Sequence, residues 1–192
     1  MKHCVIYIPG LGDRSVIERL LSRLVLKLWR LYGVRAEMLA VRWYDGLPFD
    51  EKRDRILAAV DEKIRRGYTV SLIGASAGAS MAINVAAARP EIWKIVTVAG
   101  VSSPFIPISP SIRRSSPAFV TSCESLATSI ARVPATKIHT ISALSDSVVG
   151  KRYSFIEHAH NHRLLSAGHL MTIALCLTLF SPYVIFLIRR RR

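Results

Sequence analysis

The feature that most constrains this chain is an apolar strand that runs through a Gly-x-Ser-x-Gly turn into an alanine-rich helix. Residues 70–80 read VSLIGASAGAS, so that Gly74 and Gly78 flank Ser76. A turn of this kind between a strand and a helix is strained and pushes the serine hydroxyl out of the sheet. Side chains at the two glycine positions would collide with neighbouring backbone. The motif predicts a nucleophilic serine, and a closely packed strand–helix junction is the alternative interpretation.

A second glycine-bearing loop follows the first predicted strand. Residues 4–8 are apolar and predict a buried strand, and the sequence Pro9-Gly10-Leu11-Gly12-Asp13 follows directly, before a long helix. Such a loop can turn a free backbone N–H toward a developing oxyanion, with the N–H of Ala77 as a second donor. A plain strand–helix turn is the alternative.

Two candidate partners for Ser76 come later in the chain. Residues 137–143 predict a strand, and Asp146 lies on the loop that leaves its carboxyl end. An acid there can orient a histidine and stabilise the imidazolium, although Asp is also a common turn residue. His169 follows Gly168 just ahead of an apolar run and can accept the Ser76 proton if the fold brings them together. The order of serine, acid and histidine is the one expected after this turn.

Together these residues resemble the α/β-hydrolase superfamily, as a small serine hydrolase of the esterase type with little lid. The resemblance covers most of the chain, from the first strand through His169. It implies a set of reacting groups: Ser76 as nucleophile, His169 as general base, Asp146 as its orienting acid, and the backbone N–H groups of Leu11 and Ala77 as oxyanion-hole donors.

Two departures from the superfamily pattern are visible. Many members carry His-Gly in the oxyanion loop and a histidine before the nucleophile, whereas this chain has Pro9-Gly10 and Ala75. Neither position supplies a reacting group, so the departures bear on the subfamily rather than on the chemistry.

Length and strand pattern predict the fold class. A chain of 192 residues can bury one sizeable core. Alternating strand and helix patterns predict an α/β three-layer sandwich, with a mostly parallel sheet of about six strands flanked by helices. The resemblance makes this a trimmed α/β-hydrolase fold without the opening antiparallel hairpin of larger members. We expect one domain over residues 1–180 and an apolar and basic tail over residues 181–192.

Individual elements follow from periodicity. Residues 15–32 carry a broad apolar stripe that predicts a helix packed on the sheet and stopped by Gly33. The stripe comprises Val16, Ile17, Leu20, Leu21, Leu24, Leu28 and Leu31. Residues 49–66 predict a charged amphipathic helix ended by Gly67. Further strands are predicted over residues 36–43, 94–99 and 163–166, and a helix over residues 122–131.

Residues 101–134 are rich in proline and serine. By resemblance, a segment inserted after a sheet strand forms a lid or a pocket wall, and Phe105, Ile106, Ile108 and Phe119 would favour a lipophilic acyl group. The alternative is a structural excursion that packs at a sheet edge.

Cysteine and histidine usage gives no sign of a metal or cofactor. Cys4, Cys123 and Cys176 are far apart and predict buried reduced thiols, which, without a secretory signal peptide, indicates a cytoplasmic protein. His158, His160 and His162 would share one face of an extended segment, but no carboxylate or cysteine lies at ligand spacing. The predicted site needs no metal.

The C-terminal region has two interpretations. Residues 170–188 carry no charge and precede four arginines, which is barely long enough for a tail anchor. A buried helix to about residue 180 followed by a tail fits better, because Ser181-Pro182 interrupts the run. The tail could contact a membrane peripherally, and the net charge of +14 favours anionic headgroups. The charges are dispersed and no nucleic-acid-binding motif is present, so nucleic acid is not expected as a partner.

The sequence therefore predicts a serine hydrolase that cleaves a carboxylic ester with a lipophilic acyl group. A thioesterase, amidase or acyltransferase would use the same groups, since the pocket chooses the leaving group and acceptor. The alternative from another class is a non-catalytic hydrolase-like module that binds a membrane or a partner.

Overall fold

The computed structural model describes residues 2–190 and contains one six-stranded sheet. Its strand order is β2-β1-β3-β4-β5-β6, and every neighbouring pair is parallel. The strands are β1 (His3–Ile8), β2 (Arg35–Met38), β3 (Thr69–Ala75), β4 (Ile95–Val98), β5 (Ile138–Ser145) and β6 (His160–Ala167). The predicted parallel sheet of six strands is confirmed.

Helices connect the strands. They are α1 (Val16–Leu28), α2 (Phe49–Arg65), α3 (Gly78–Ala88), α4 (Pro110–Ser115), α5 (Pro117–Glu124), α6 (Leu126–Arg132), α7 (Lys151–Ser154), α8 (His169–Leu177) and α9 (Ser181–Arg189). Short 3₁₀ turns cover Leu11–Arg14, Trp29–Tyr32 and Ala135–Lys137.

The core lies on both faces of the sheet. Alternate residues of β1 point to opposite sides, with Ile6 and Ile8 in one apolar cluster and Val5 and Tyr7 in the other. Helices α2, α3, α5 and α6 cover the first face, and α1, α8 and α9 supply the second. This is the expected three-layer sandwich, and burial on both faces explains why the inner strands β1, β3 and β4 are largely apolar.

The strand β2 is shorter than predicted. Its ladder with β1 ends at Met38, although the apolar pattern continues to residue 43. Arg42 has a φ of 57°, which turns the chain out of the extended conformation. Trp43 then packs on the opposite face of the sheet, in an edge-to-face contact with Phe119. At the other edge, β6 begins three residues earlier than predicted.

Helix α1 forms where predicted, but the side that it turns toward the core is opposite to the expected one. The Ser15 hydroxyl caps it by accepting from the N–H of Glu18, and Gly33 ends the following 3₁₀ turn with a φ of 68°. Leu26 and Trp29 face the core, whereas every apolar side chain of the predicted stripe is exposed. The expectation that this stripe packs on the sheet is wrong, because α9 fills the sheet face beside it.

The segment over residues 101–134 is a structural excursion. It forms three short helices, so the single helix predicted over residues 122–131 is wrong: the chain turns between α5 and α6. Both helices pack on α3 through buried polar contacts. The Ser80 and Ser122 hydroxyls lie 2.6 Å apart, and the Asn84 amide donates to the Ser122 carbonyl at 2.9 Å.

The expected tail is a core helix as far as residue 189. Helix α9 buries Val184, Ile185, Leu187 and Ile188 in the same cluster as β1 and α8. The Trp93 indole donates to the Ile188 carbonyl at 3.0 Å. These side chains are therefore not available for shallow insertion into a membrane. Arg191 and Arg192, the end of the predicted tail, lie outside the described residues.

Helices α8 and α9 do not form a continuous span. Their axes bend by 69° at the break between them, and within residues 2–190 no single helix is long and apolar enough to cross a membrane.

The three cysteines are buried, and histidines of β5 and β6 stack on one another. Cys4, Cys123 and Cys176 are all buried free thiols. Burial raises the pKa of Cys4 to about 11 and those of Cys123 and Cys176 to about 12. His160 and His162 lie in β6 and stack on His139 of β5. Across the described residues, no His, Cys, Asp and Glu side chains form a group able to hold a metal ion.

Candidate active site

Ser76 lies at a strained turn between β3 and α3. Its φ of 51° is in the left-handed region, and its backbone is held there by hydrogen bonds to Val98 and Val101. A Cβ at Gly74 would lie 2.5 Å from the Gly78 carbonyl oxygen, and a Cβ at Gly78 would overlap the Ile8 carbonyl. Ser76 is the one residue between positions 70 and 86 that is not buried, so the turn presents its hydroxyl.

The loop after β1 lies directly against this serine. A Cβ added at Gly10 would lie 2.6 Å from the Ser76 Cβ and 3.1 Å from its Oγ. Glycine at position 10 therefore lets the loop backbone come within contact of the Ser76 hydroxyl.

Buried Asp13 fixes the loop after β1, a role that no sequence motif indicates. The Asp13 carboxylate accepts from the Arg42 N–H at 2.5 Å, and the Arg19 guanidinium donates to the Asp13 carbonyl at 3.0 Å. Burial raises the pKa of Asp13, against the lowering effect of N–H groups from Arg42 and Trp43. The 29-residue separation between Asp13 and Arg42 leaves no motif that could have indicated the contact.

The two predicted oxyanion donors lie at the starts of two helical turns. Leu11 is the first residue of the 3₁₀ turn after β1, and Ala77 is the N-cap of α3. N–H groups in such positions have no partner within their own helix. Helix α3 begins beside Ser76, so its N-terminal dipole favours negative charge at this point.

His169 and Asp146 are paired. The His169 Nδ1 lies 2.8 Å from Asp146 Oδ2, and the two side chains are only 8% and 4% exposed. The other carboxylate oxygen accepts from the N–H groups of Val148 and Val149 at 2.8 and 2.9 Å. With Nδ1–H donated to Asp146, the Nε2 lone pair of His169 is left to act as a base.

The backbone around His169 holds this pair together. The Gly168 N–H donates to the Ser145 carbonyl at 2.9 Å, which joins the start of α8 to the end of β5. Gly168 has a φ of 97°, a conformation that suits glycine. Two loops distant in sequence thereby bring Asp146 and His169 together.

Ser76 and His169 line one cavity of about 520 Å³, together with Gly10 and Leu11. One wall is apolar and comes from α1 and α8: Leu21, Leu170, Ile173, Ala174 and Leu177. Polar side chains of Asp13, Glu18 and Arg19 lie at the same cavity. The geometry therefore places a strained serine and a carboxylate-bound imidazole at one largely apolar space.

The predicted lid residues are not part of this cavity. Phe119 is buried against Trp43, Ile106 and Ile108 pack on the other core, and Phe105 is exposed. They do not line the space beside Ser76, because the segment folds over the opposite face of the sheet. Helices α1 and α8 supply the apolar wall instead.

Comparison with known proteins finds similar structures but no similar sequences. No protein-family model matches the sequence, and no curated protein matches it. Among solved structures, one from work on LipS and LipT, two metagenome-derived lipolytic enzymes, is similar with a TM-score of 0.71 and 12% identity. The match covers 98% of this chain and 94% of that one.

Two further structures are similar over nearly the full length. Est1E from Butyrivibrio proteoclasticus has a TM-score of 0.70 and 14% identity, with 98% of this chain and 89% of that chain covered. A monoacylglycerol lipase from Paleococcus ferrophilus has a TM-score of 0.68 and 15% identity, with 96% and 93% covered. At such low identity the likeness concerns architecture, and by that architecture this chain has the α/β-hydrolase fold.

Proposed function

We propose that this protein is a serine hydrolase that cleaves a carboxylic ester with a lipophilic acyl group. The observation that carries the proposal is the Asp146–His169 hydrogen bond of 2.8 Å beside a cavity that Ser76 also lines. A buried carboxylate that orients an imidazole in the same cavity as a strained serine is the arrangement that activates a hydroxyl nucleophile. Similar solved structures include lipolytic enzymes and esterases, which supports the same reaction class.

In the first half of the reaction, the Ser76 hydroxyl oxygen attacks the ester carbonyl carbon. His169 Nε2 takes the hydroxyl proton, and the imidazolium is stabilised by the Asp146 carboxylate. The carbonyl oxygen becomes an oxyanion that the N–H groups of Leu11 and Ala77 stabilise. When the tetrahedral intermediate collapses, the C–O bond to the alcohol breaks and His169 returns the proton to the leaving alcohol.

In the second half, water replaces the alcohol. His169 removes a proton from the water as its oxygen attacks the acyl carbon of the Ser76 ester, and the same two N–H groups stabilise the second oxyanion. Collapse releases the carboxylic acid and gives the proton back to the Ser76 oxygen. Neither half of this reaction requires a metal ion or a cofactor.

The cavity supports an apolar acyl group. Leu21 from α1 faces Leu170, Ile173 and Leu177 from α8 across the space that Ser76 borders. Burying methylene groups against such a wall gains about 0.8 kcal/mol for each one. We therefore expect kcat/KM to rise along a series of 4-nitrophenyl esters from acetate to octanoate.

Covalent labelling with a fluorophosphonate probe tests the proposal. The intact protein, Ser76→Ala and His169→Ala are compared, with Ser80→Ala as a matched control four residues further along the chain. We expect labelling of the intact protein and of Ser80→Ala only. Equal labelling of Ser76→Ala would contradict the assignment of the nucleophile.

Absence of labelling in all four folded proteins would overturn the proposal. It would favour the alternative drawn from the sequence, a non-catalytic module with a hydrolase fold. Folding of each variant is checked by circular dichroism and thermal unfolding, so that loss of labelling is not confused with loss of structure.

A further inference from the structure

Helix α1 turns its apolar side away from the protein. Val16, Ile17, Leu20, Leu21, Leu24 and Leu28 are between 49% and 70% exposed, and at helical spacing they share one side of about 140°. We call these six side chains the outer face of α1. The opposite side packs on the protein through Leu26 and, with partial burial, Arg19 and Ser22.

An outer face of this size needs an occupant. A surface helix of a soluble domain ordinarily buries its apolar stripe and exposes its charges. Contiguous exposed apolar surface of this kind marks a binding surface for a protein or a membrane. The cavity and the charges beside the outer face distinguish between a protein and a membrane as its occupant.

The outer face is continuous with the candidate active site. Leu21 belongs to both, since it lines the cavity that holds Ser76. Across that cavity Leu170 of α8 is 68% exposed and lines the same space, and α1 packs beside α8. Whatever covers the outer face therefore lies at the mouth of the cavity.

Charge distinguishes between the occupants. Arg23 and Lys27 are exposed at one edge of the outer face, and exposed Arg30 follows in the adjoining 3₁₀ turn. Glu18 is the only acid in α1. The whole chain carries a net charge of +14, so pairing this edge with a second copy would bring like charges together. An anionic lipid surface instead offers apolar depth for the leucines and negative headgroups for the arginines and the lysine.

We propose that the outer face of α1 docks on an anionic membrane surface and opens the cavity toward the lipid. In this orientation an ester with a lipophilic acyl chain passes from the bilayer to Ser76 without crossing water. The substrate route depends on the proposed function, but the docking does not. Docking differs from the contact expected through residues 181–192, whose described apolar side chains lie mainly in the core.

Co-sedimentation with vesicles tests the docking in a protein that cannot turn over. The Ser76→Ala variant is mixed with vesicles of phosphatidylcholine alone or with 30% phosphatidylglycerol. We expect binding to the anionic vesicles, and weaker binding as salt is raised. The double change Leu20→Ser with Leu24→Ser is expected to lower the partition coefficient at least tenfold, and Arg23→Glu with Lys27→Glu to do the same.

Matched controls lie on other surfaces. Leu165→Ser removes a leucine of β6 that is more exposed than Leu20 or Leu24, at the sheet edge opposite β2, beside which α1 packs. Arg65→Glu with Arg66→Glu reverses two exposed charges at the C-terminal end of α2, across the sheet. Both controls are expected to leave vesicle binding within twofold of the Ser76→Ala protein.

Two results would overturn docking on lipid. One is vesicle binding that the outer-face variants leave unchanged. The other is a dimer in sedimentation velocity that Leu20→Ser with Leu24→Ser dissolves, since a second copy would then occupy the face. Failure of the proposed function is read separately, from probe labelling, because Leu20 and Leu24 do not line the cavity and all binding is measured with Ser76→Ala.

Discussion

Asp146 uses its two carboxylate oxygens for different purposes. Oδ2 accepts from His169, while Oδ1 accepts from the N–H groups of Val148 and Val149 in its own loop. The loop therefore holds the carboxylate in place independently of the histidine. A substitution that keeps the Oδ1 contacts and alters only the group facing His169 separates the two roles.

Asp146→Asn is such a substitution. The amide oxygen can still accept from the loop, but an NH2 group then faces His169 Nδ1 and favours the tautomer with the proton on Nε2. We expect kcat for a soluble ester to fall by about 10³- to 10⁴-fold, with little change in the temperature of unfolding. The exposed neighbour Ser147→Ala is the control. A loss below tenfold in Asp146→Asn would remove Asp146 from the proposed mechanism.

Gly10 offers a second test at the scale of single atoms. Its added methyl group would come within 2.6 Å of the Ser76 Cβ, so Gly10→Ala has to push the oxyanion loop away from the serine. We expect kcat/KM to drop at least tenfold, since oxyanion donors act over distances of about 3 Å. Gly150→Ala is the matched control, because its Cβ would only make ordinary contact with Tyr153 at 3.8 Å. Equal activity of the two variants would contradict this.

Residue roles could be predicted where the signal is local. The spacing of Gly74, Ser76 and Gly78 encodes its own turn, and the hydrogen bond between Asp146 and His169 joins two residues that the sequence singles out by their positions after predicted strands. The Asp13 contact with Arg42 could not be predicted, because it joins two loops through a backbone N–H that any residue except proline would supply at position 42.

At the scale of elements, α9 packs on the sheet face that the sequence predicts for the apolar stripe of α1, and α1 exposes that stripe. Periodicity identifies an amphipathic helix but not the surface that its apolar side meets. The sheet face beside α1 is filled by Val184, Ile185, Leu187 and Ile188, which lie in the segment predicted to be a tail. With that face occupied, α1 packs through its other side and exposes its stripe.

Helix α9 should therefore contribute to stability. Ile188 is fully buried, and Phe186 on the same helix is 54% exposed. We expect Ile188→Ala to lower the free energy of unfolding by about 2 to 4 kcal/mol, because it leaves a cavity in a packed core. Phe186→Ala should cost less than about 1 kcal/mol. Urea denaturation measures both, and similar losses from the two changes would show that α9 is not packed as described.

Two smaller differences have local causes. Alternation in residues 36–43 is typical of a strand, but the chain leaves the sheet after Met38 and turns at Arg42. The apolar residues that follow, Trp43 among them, lie in a loop that packs on the core and do not pair with a neighbouring strand. Helical structure in residues 117–132 begins five residues before the predicted start at residue 122, and it is divided into α5 and α6 at Ser125.

At the scale of the whole molecule, the sheet order follows from the sequence more readily than the helix faces. Parallel strands buried on both sides give short apolar runs separated by helices, and that alternation survives errors in individual boundaries. The histidines are the clearest exception. His139, His160 and His162 come from neighbouring strands, and only the register of β5 with β6 brings them together.

This histidine cluster makes stability depend on pH. Burial, followed by the nearby charges of His160, Lys94, His162 and Arg190, lowers the pKa of His139 to about 3. The unfolded chain takes up this proton below a pH of about 6.5, whereas the folded protein does not until a pH of about 3. Stability therefore falls as the pH drops through this window, because the unfolded state binds more protons there.

His139→Phe should reduce that dependence. The ring can still stack on His160 but has no proton to take up. We expect the slope of unfolding free energy against pH, between pH 6 and 4, to fall by up to about 1.4 kcal/mol per pH unit. His158→Asn, at an exposed turn position, is the control. An unchanged slope in His139→Phe would show that other groups cause the acid sensitivity.

The buried thiols give the folded chain a built-in reporter of its own opening. Thiol reagents react with the thiolate, and with pKa values of about 11 to 12 fewer than about one molecule in a hundred carries a thiolate on any given cysteine at pH 8. Cys4 lies in β1, Cys123 in α5 and Cys176 in α8, one in each layer of the sandwich. The rate at which each of the three is modified by a thiol reagent therefore measures how often the layer around it opens to solvent.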